Sequence, residues 1–139
     1  MTRALLRDRR GGVAVEFALV APTFLMIMFL ILDGGRLMFA KQSLNELTVA
    51  TARCAAIQAT GCDTAANAKS WAVSRGNARS AMNIANSNVT VTTGTSCNGV
   101  ANMTKVTITR PWANGAMGLL PGNIAPTSLS SSSCFPEMS

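Results

Sequence analysis

The 139-residue chain has no histidine and no tyrosine. The first absence removes the commonest general base and the commonest metal ligand, and the second removes the phenolic acid. Acidic residues are also scarce, six in all. Only Glu46, Asp63 and Glu137 lie well clear of the apolar N-terminal run, and they are far apart in sequence. No cysteine pair has the C-x-x-C spacing of a metal site, and no glycine loop carries the Lys-Ser/Thr signature of a phosphate cradle. The serines gathered near the C-terminus have no evident base. These features point away from an enzyme and call for no cofactor and no metal.

Basic residues are twice as numerous as acidic ones, and the net charge is +6. Four of the twelve cations, Arg3, Arg7, Arg9 and Arg10, fall in the first ten positions. Removing residues 1–11 takes these four and Asp8, leaving +3. The remainder are scattered, with no basic helix and no aromatic platform, so no nucleic acid is expected as a partner.

What the chain does have is a long apolar run. Twenty residues from Val13 to Leu32 contain one ionisable side chain, Glu16. As a helix they span about 30 Å, the hydrocarbon thickness of a bilayer. Membrane lipid is therefore an expected partner. The cations before the run outnumber Arg36 and Lys41 beyond it, which places the N-terminus in the cytoplasm and the head outside. An ordinary secretory signal would have a shorter core and an A-x-A-like site after it, and no such site follows Leu32.

Glu16 lies four residues into this run. An acidic residue costs roughly 2.5–3.5 kcal/mol at a membrane helix centre and less near an end. It either reaches the interface, takes up a proton, or finds a cation. The preceding Arg9-Arg10-Gly11-Gly12 segment is basic and unhindered. A cut after Gly11 would make Gly12 a new N-terminus, with an amine of unperturbed pKa about 7.7–8.0. Gly12 and Glu16 are then four apart on one helix face. The carboxylate would neutralise its own amine or that of a neighbouring subunit.

Glycine, a cut, four residues, Glu and then an aromatic resembles the processing site of type IV pilins of the tight-adherence (Flp) class. Here it reads Gly11, then Gly12-Val13-Ala14-Val15, then Glu16-Phe17. From Arg9 to Ala56 the chain more specifically resembles the TadE-like minor pilins, or pseudopilins. The matching stretches are RRGGVAVEFALVAP, LDGGRLMFAKQSL and TARCAA. The aromatic is Phe17 where the major pilin of the class has Tyr, which favours a minor pilin. Cys54 stands where relatives often have Tyr, which suggests an added disulfide.

The resemblance implies cleavage after Gly11 by a prepilin peptidase, assembly through Glu16 and Phe17, and partners among other pilins and the inner-membrane pilus assembly machinery. It implies a single-pass protein of the bacterial inner membrane, acting in pilus initiation, assembly or tip formation for adhesion. The alternative is an uncut bitopic interaction subunit of an envelope assembly complex, which leaves Gly11 and Glu16 without a role.

The expected fold is α+β and pilin-like. A basic leader (1–11) precedes a transmembrane helix (12–33) and its extension (34–60). An exported head (61–139) follows, holding a second helix and a small antiparallel sheet of two or three strands. Pro22 is expected to bend the helix, and Gly34-Gly35 to form a hinge. Leu37, Ala40, Leu44, Leu47, Thr51 and Cys54 form a stripe at 3–4 spacing. It would pack on the head, on another subunit, or both. Gly61 ends the first helix and Asp63 is the candidate N-cap of a second, about 64–85, anchored by Trp71 and Met82. Gly76 would weaken its middle.

Two alternating stretches, about 88–93 and 104–110, predict strands joined by a Gly/Asn-containing loop. Val89, Val91, Val106 and Ile108 would face the helices. A loop from Pro111 to Pro126 carries Trp112 and Leu119-Leu120. A serine-rich stretch, about 127–134, predicts a third, edge strand.

Outside the cytoplasm the four cysteines default to disulfides. Of three possible connectivities, the favoured one pairs Cys54 with Cys62, across the turn at Gly61, and Cys97 with Cys134.

Overall fold

The computed structural model describes residues 10–80, 82–113, 118 and 126–138. Nearly all of the expected leader and much of the Pro111–Pro126 loop, including Leu119-Leu120, lie outside the described residues. The order of elements is α1 (Arg10–Ala56), α2 (Ala65–Ser80), a single 3-10 turn (Asn86–Asn88), β1 (Val89–Cys97), β2 (Val100–Pro111) and β3 (Ser128–Pro136). The strands form one antiparallel sheet in the order β1-β2-β3. Both helices lie against the same sheet face, and this is the α+β fold expected.

Helix α1 is 47 residues long and runs through both Pro22 and Gly34-Gly35 without interruption. The expected hinge is therefore continuous helix. Nothing lies within 4 Å of where a Cβ would stand on Gly34 or Gly35, so no neighbour forces a break there. The helix ends at Ala56, four residues before the expected boundary. Gln58 adopts a left-handed φ of 48°. Its N–H donates to Ala55 O, and that of Ala59 to Cys54 O, at 3.2 and 3.1 Å. This is the Schellman arrangement, which satisfies carbonyls the helix end would leave bare. Gly61, at φ +88°, serves the next turn rather than the helix end.

The N-cap of α2 is Thr64, whose Oγ1 accepts the Asn67 N–H at 3.2 Å. The expected cap, Asp63, instead accepts from the Asn67 side-chain amide at 2.8 Å. Small residues at four-residue spacing, Ala68, Ala72 and Gly76, are buried. A Cβ on Gly76 would stand 2.9 Å from Leu47 Cδ2 and 3.0 Å from Ile84 Cδ1. The glycine that weakens the helix by propensity is thus what lets it approach α1.

The second helix also stops earlier than expected, at Ser80. Asn77 explains the reversal. Its side chain accepts the Ile84 N–H at 2.9 Å and donates to the Ile84 carbonyl at 3.2 Å, as a strand partner would. Asn83 takes a left-handed φ of 51° between them. Met82 and Ile84 are then buried as an extended segment rather than as a helical face.

Strands β1 and β2 are longer than the alternating pattern implied, and the turn between them is tight. Cys97 pairs with Val100, leaving Asn98 and Gly99 as the two turn residues, both at positive φ. Asn-Gly at these angles is the type I′ hairpin turn, whose twist matches that of the strands. Register shifts flank Thr95, and Gly94 has φ +63°. The β2–β3 pairing runs without a shift from Met103↔Pro136 to Pro111↔Ser128. The third strand is thus present, at the sheet edge.

The core lies between sheet and helices. Leu44, Leu47 and Ala52 of α1 meet Ala72, Met82, Ile84, Val89, Val106, Ile108 and Leu129. The expected α1 stripe is buried at Leu44, Leu47 and Thr51 and half-buried at Leu37, Ala40 and Cys54. Thr48 and Thr51 are fully buried, their hydroxyls donating to Leu44 O and Leu47 O at 2.7 Å. A buried hydroxyl bound to its own helix escapes the desolvation cost of an unpaired polar group. Trp71 is half-buried against a smaller cluster of Ala55, Cys62 and Ala68, and Trp112 against the main core.

Candidate assembly interface

The N-terminal part of α1 touches none of this core. Its most apolar eighteen-residue window has mean hydropathy 2.4 and is entirely unburied. Phe17, Leu19 and Ile31 are each about 70% exposed, at 73, 72 and 69%. A helix apolar on every side is buried in a membrane or by other chains, because water would leave its whole circumference uncompensated. Helix α1 is long and apolar enough to cross a bilayer, which suggests a single-pass, membrane-anchored protein.

Gly11, Gly12, Glu16 and Phe17 lie together in the first two turns of α1, all exposed. Nothing stands within 4 Å of a Cβ position at either glycine. Gly12 and Glu16 share a helix face by their spacing. No hydrogen bond or ion pair holds Glu16 among the described residues.

The apolar surface continues past the span. Met38 and Phe39 are 76 and 71% exposed, and Val49 on α1 and Ile57 just past its end are exposed in the head. The Leu44–Leu47–Thr51 side is occupied by the chain's own head, and among the described residues the opposite side is left uncovered.

The distal end of the head is fastened covalently. Cys54 is bonded to Cys62 and Cys97 to Cys134, with Cα–Cα separations of 5.7 and 6.5 Å. This is the expected connectivity. The second bond crosses from β1 to β3 over β2. Flat neighbouring strands stand about 4.8 Å apart, so β1 and β3 would be separated by nearly 10 Å. The shorter Cα–Cα distance shows that the bulged hairpin curls over the sheet there.

Glu137 completes this end, and nothing in its sequence context signals the role. Its Oε1 accepts the Gly94 N–H at 2.6 Å and the Thr104 hydroxyl at 2.8 Å. Its own N–H donates to Asn102 O at 3.0 Å. One carboxylate thus ties the end of β3 to β2 and to the β1 bulge. The Gly94 amide, and after it the Thr104 hydroxyl, hold this carboxyl below its ordinary range, against a smaller opposing effect of burial.

The opposite, membrane-proximal end carries different chemistry. Arg110 stacks over Trp112 with Cζ 5.9 Å from the ring centre. The Trp112 backbone N–H donates to Thr127 O at 2.9 Å, closing the β2–β3 pair. On α1, Arg36 lies 3.8 Å from Asp33.

The family model described as TadE-like protein matches residues 11–53. No curated protein and no solved structure matches the chain. The matched segment comprises the apolar span and most of the helix that carries the head, and it stops just before Cys54. Over that segment, about a third of the chain, the protein is similar to TadE-like proteins, which is consistent with a pilin-type protein of the Tad system.

Proposed function

We infer that this chain is a minor pilin, or pseudopilin, of a tight-adherence pilus. A prepilin peptidase cuts it after Gly11 on the cytoplasmic side of the inner membrane, and the head stands on the exported side. The processed helix then packs beside those of other pilins during initiation, assembly or tip formation, with adhesion as the output. The observation that carries this reading is Glu16 itself. It is an exposed carboxylate on an otherwise apolar helix surface, with no partner among the described residues and four positions from the amine that cleavage would create. Pairing with a neighbour's Gly12 amine would set the register between adjacent helices and offset the cost of placing the carboxylate in lipid.

The test is the N-terminus of the protein recovered from membranes, by intact mass and terminal peptide sequencing, with and without the peptidase. A peptidase-dependent start at Gly12 is expected. A retained Met1 would replace this reading with the uncut, bitopic envelope subunit. A start beyond Leu32 would remove the anchor altogether.

A further inference from the structure

We propose that the membrane-proximal end of the head docks onto the bilayer surface by binding the phosphate of an anionic phospholipid headgroup between Arg36 and Arg110. The proposal rests on the reading of α1 as a membrane anchor. It does not depend on cleavage or on any pilus partner.

Arg36, Phe39, Ala40, Ser43, Met82, Arg110 and Trp112 line one groove of about 200 Å³ between α1 and the end of the sheet. Two guanidinium groups from distant parts of the chain therefore open onto the same space. Each carries five N–H donors in a fork that matches phosphate oxygens. The Arg36 side chain is 76% exposed. Among the described residues its ion-pair partner is Asp33, at 3.8 Å, which leaves most of those donors for a ligand.

The position along α1 identifies the ligand. Leu32 closes the apolar run and Arg36 lies four residues later, about 6 Å along the axis. The headgroup layer extends about 5–8 Å beyond the hydrocarbon on each side. Arg36 is thus at phosphate depth when the span is centred. Phe39, a further turn out and 71% exposed, flanks the groove on one side, and Trp112 on the other. Aromatic rings beside arginines are the composition of a membrane interface. The Trp112 backbone N–H to Thr127 O bond fixes this corner of the sheet, so the docking surface is pre-formed. The consequence is a head held at a set tilt on the membrane before any partner engages it.

The experiment uses the full-length chain in nanodiscs of phosphatidylcholine alone, or with about one-third phosphatidylglycerol. Lipids spin-labelled at the headgroup report proximity by quenching tryptophan. A W71F variant isolates Trp112, and a W112F variant isolates Trp71 as the reference. Trp112 is expected to be quenched more strongly than Trp71, and phosphatidylglycerol to increase the difference. R36Q/R110Q should remove that lipid dependence, the docked-to-undocked ratio falling about fivefold per arginine. Its helix content and both disulfides should be unchanged, by circular dichroism and non-reducing peptide mapping.

Native mass spectrometry of the two chains without tryptophan changes gives a second readout. Phosphatidylglycerol should be retained by the wild type and lost from R36Q/R110Q. Equal quenching of the two tryptophans in firmly inserted protein would overturn the docking alone. So would an effect of inorganic phosphate, added to phosphatidylcholine nanodiscs, that matches phosphatidylglycerol. Release of the chain by alkaline carbonate would overturn the anchor and the docking together.

Discussion

The two halves of α1 are one continuous helix with two different surroundings. Between residues 11 and 36 every large apolar side chain except Leu30 is at least 39% exposed, and the apolar character covers the whole circumference. Between residues 37 and 56 only one side is buried, and there the burial is nearly complete, Leu44 at 1% and Ala52 at 0%. The backbone hydrogen bonds do not distinguish the halves. What distinguishes them is which solvent the side chains are suited to. The first half is suited to lipid or to other helices, and the second is packed against its own head. A change in the first half should therefore alter insertion or assembly and leave head stability alone. A change in the second should do the reverse.

The sharpest break in that division is expected from the Cys97–Cys134 bond, which closes a 37-residue separation. Replacing both cysteines by serine should destabilise the head by about 4 kcal/mol on the chain-entropy estimate, against about 2.5 kcal/mol for the eight-residue Cys54–Cys62 loop. Denaturant titration followed by tryptophan fluorescence, in detergent, reads both. Membrane insertion should be unchanged in either variant.

Next in size is one substitution made twice. Leu44→Ala empties a buried site and should cost about 3 kcal/mol of head stability. Leu19→Ala, at a position 72% exposed, should cost the head nothing in the same titration. Equal losses would mean that the two halves unfold as one unit.

Glu16→Ala should leave head stability unchanged, within about 0.5 kcal/mol, since it touches no part of the head. It should insert and be cut, yet fail to support piliation, as counted by electron microscopy. Normal piliation would take Glu16 out of the mechanism.

Glu137 gives the head an acid sensitivity. Its native pKa is lowered, so its contribution is fully present above the ordinary carboxylate pKa. That contribution is lost as pH falls through the lowered native value. Glu137→Gln should flatten the acid side of the stability profile, and an unchanged profile would assign the acid response elsewhere. Among the substitutions of buried head residues, the smallest cost is expected from Thr48→Val. The lost hydroxyl bonds only to its own helix, so the cost should stay below about 1 kcal/mol in the denaturant titration.

Much of this architecture is legible in the residues because the signals are local and repetitive. Twenty apolar residues in a row can only span or be covered. The alternation of Lys105-Val-Thr-Ile-Thr places Val106 and Ile108 inward whatever the rest of the chain does. Asn98-Gly99 is itself a type I′ turn signal, but the apolar–polar alternation fades on both sides of it, so the pattern alone ends both strands short of the turn. The pairing of Cys54 with Cys62 followed from proximity in sequence. The roles of Gly11, Gly12, Glu16 and Phe17 rest on the four-residue spacing of Gly12 and Glu16 and on a resemblance; the family match over residues 11–53 covers these positions and assigns them no role.

The sequence by itself determined the anchor, the half-buried stripe on α1, the inward face of the sheet and the default fate of the cysteines. Each depends on periodicity or composition within a few turns or one strand. The tertiary structure alone decided that Gly76 is a packing site, that Asn77 ends α2 by binding both backbone groups of Ile84, and that Glu137 reaches Thr104 and Gly94. It alone brought Arg36 and Arg110 to one groove. These features join positions from 7 to 74 residues apart. No local pattern encodes such distances; they exist only once sheet and helices are packed, because packing chooses which polar groups face one another.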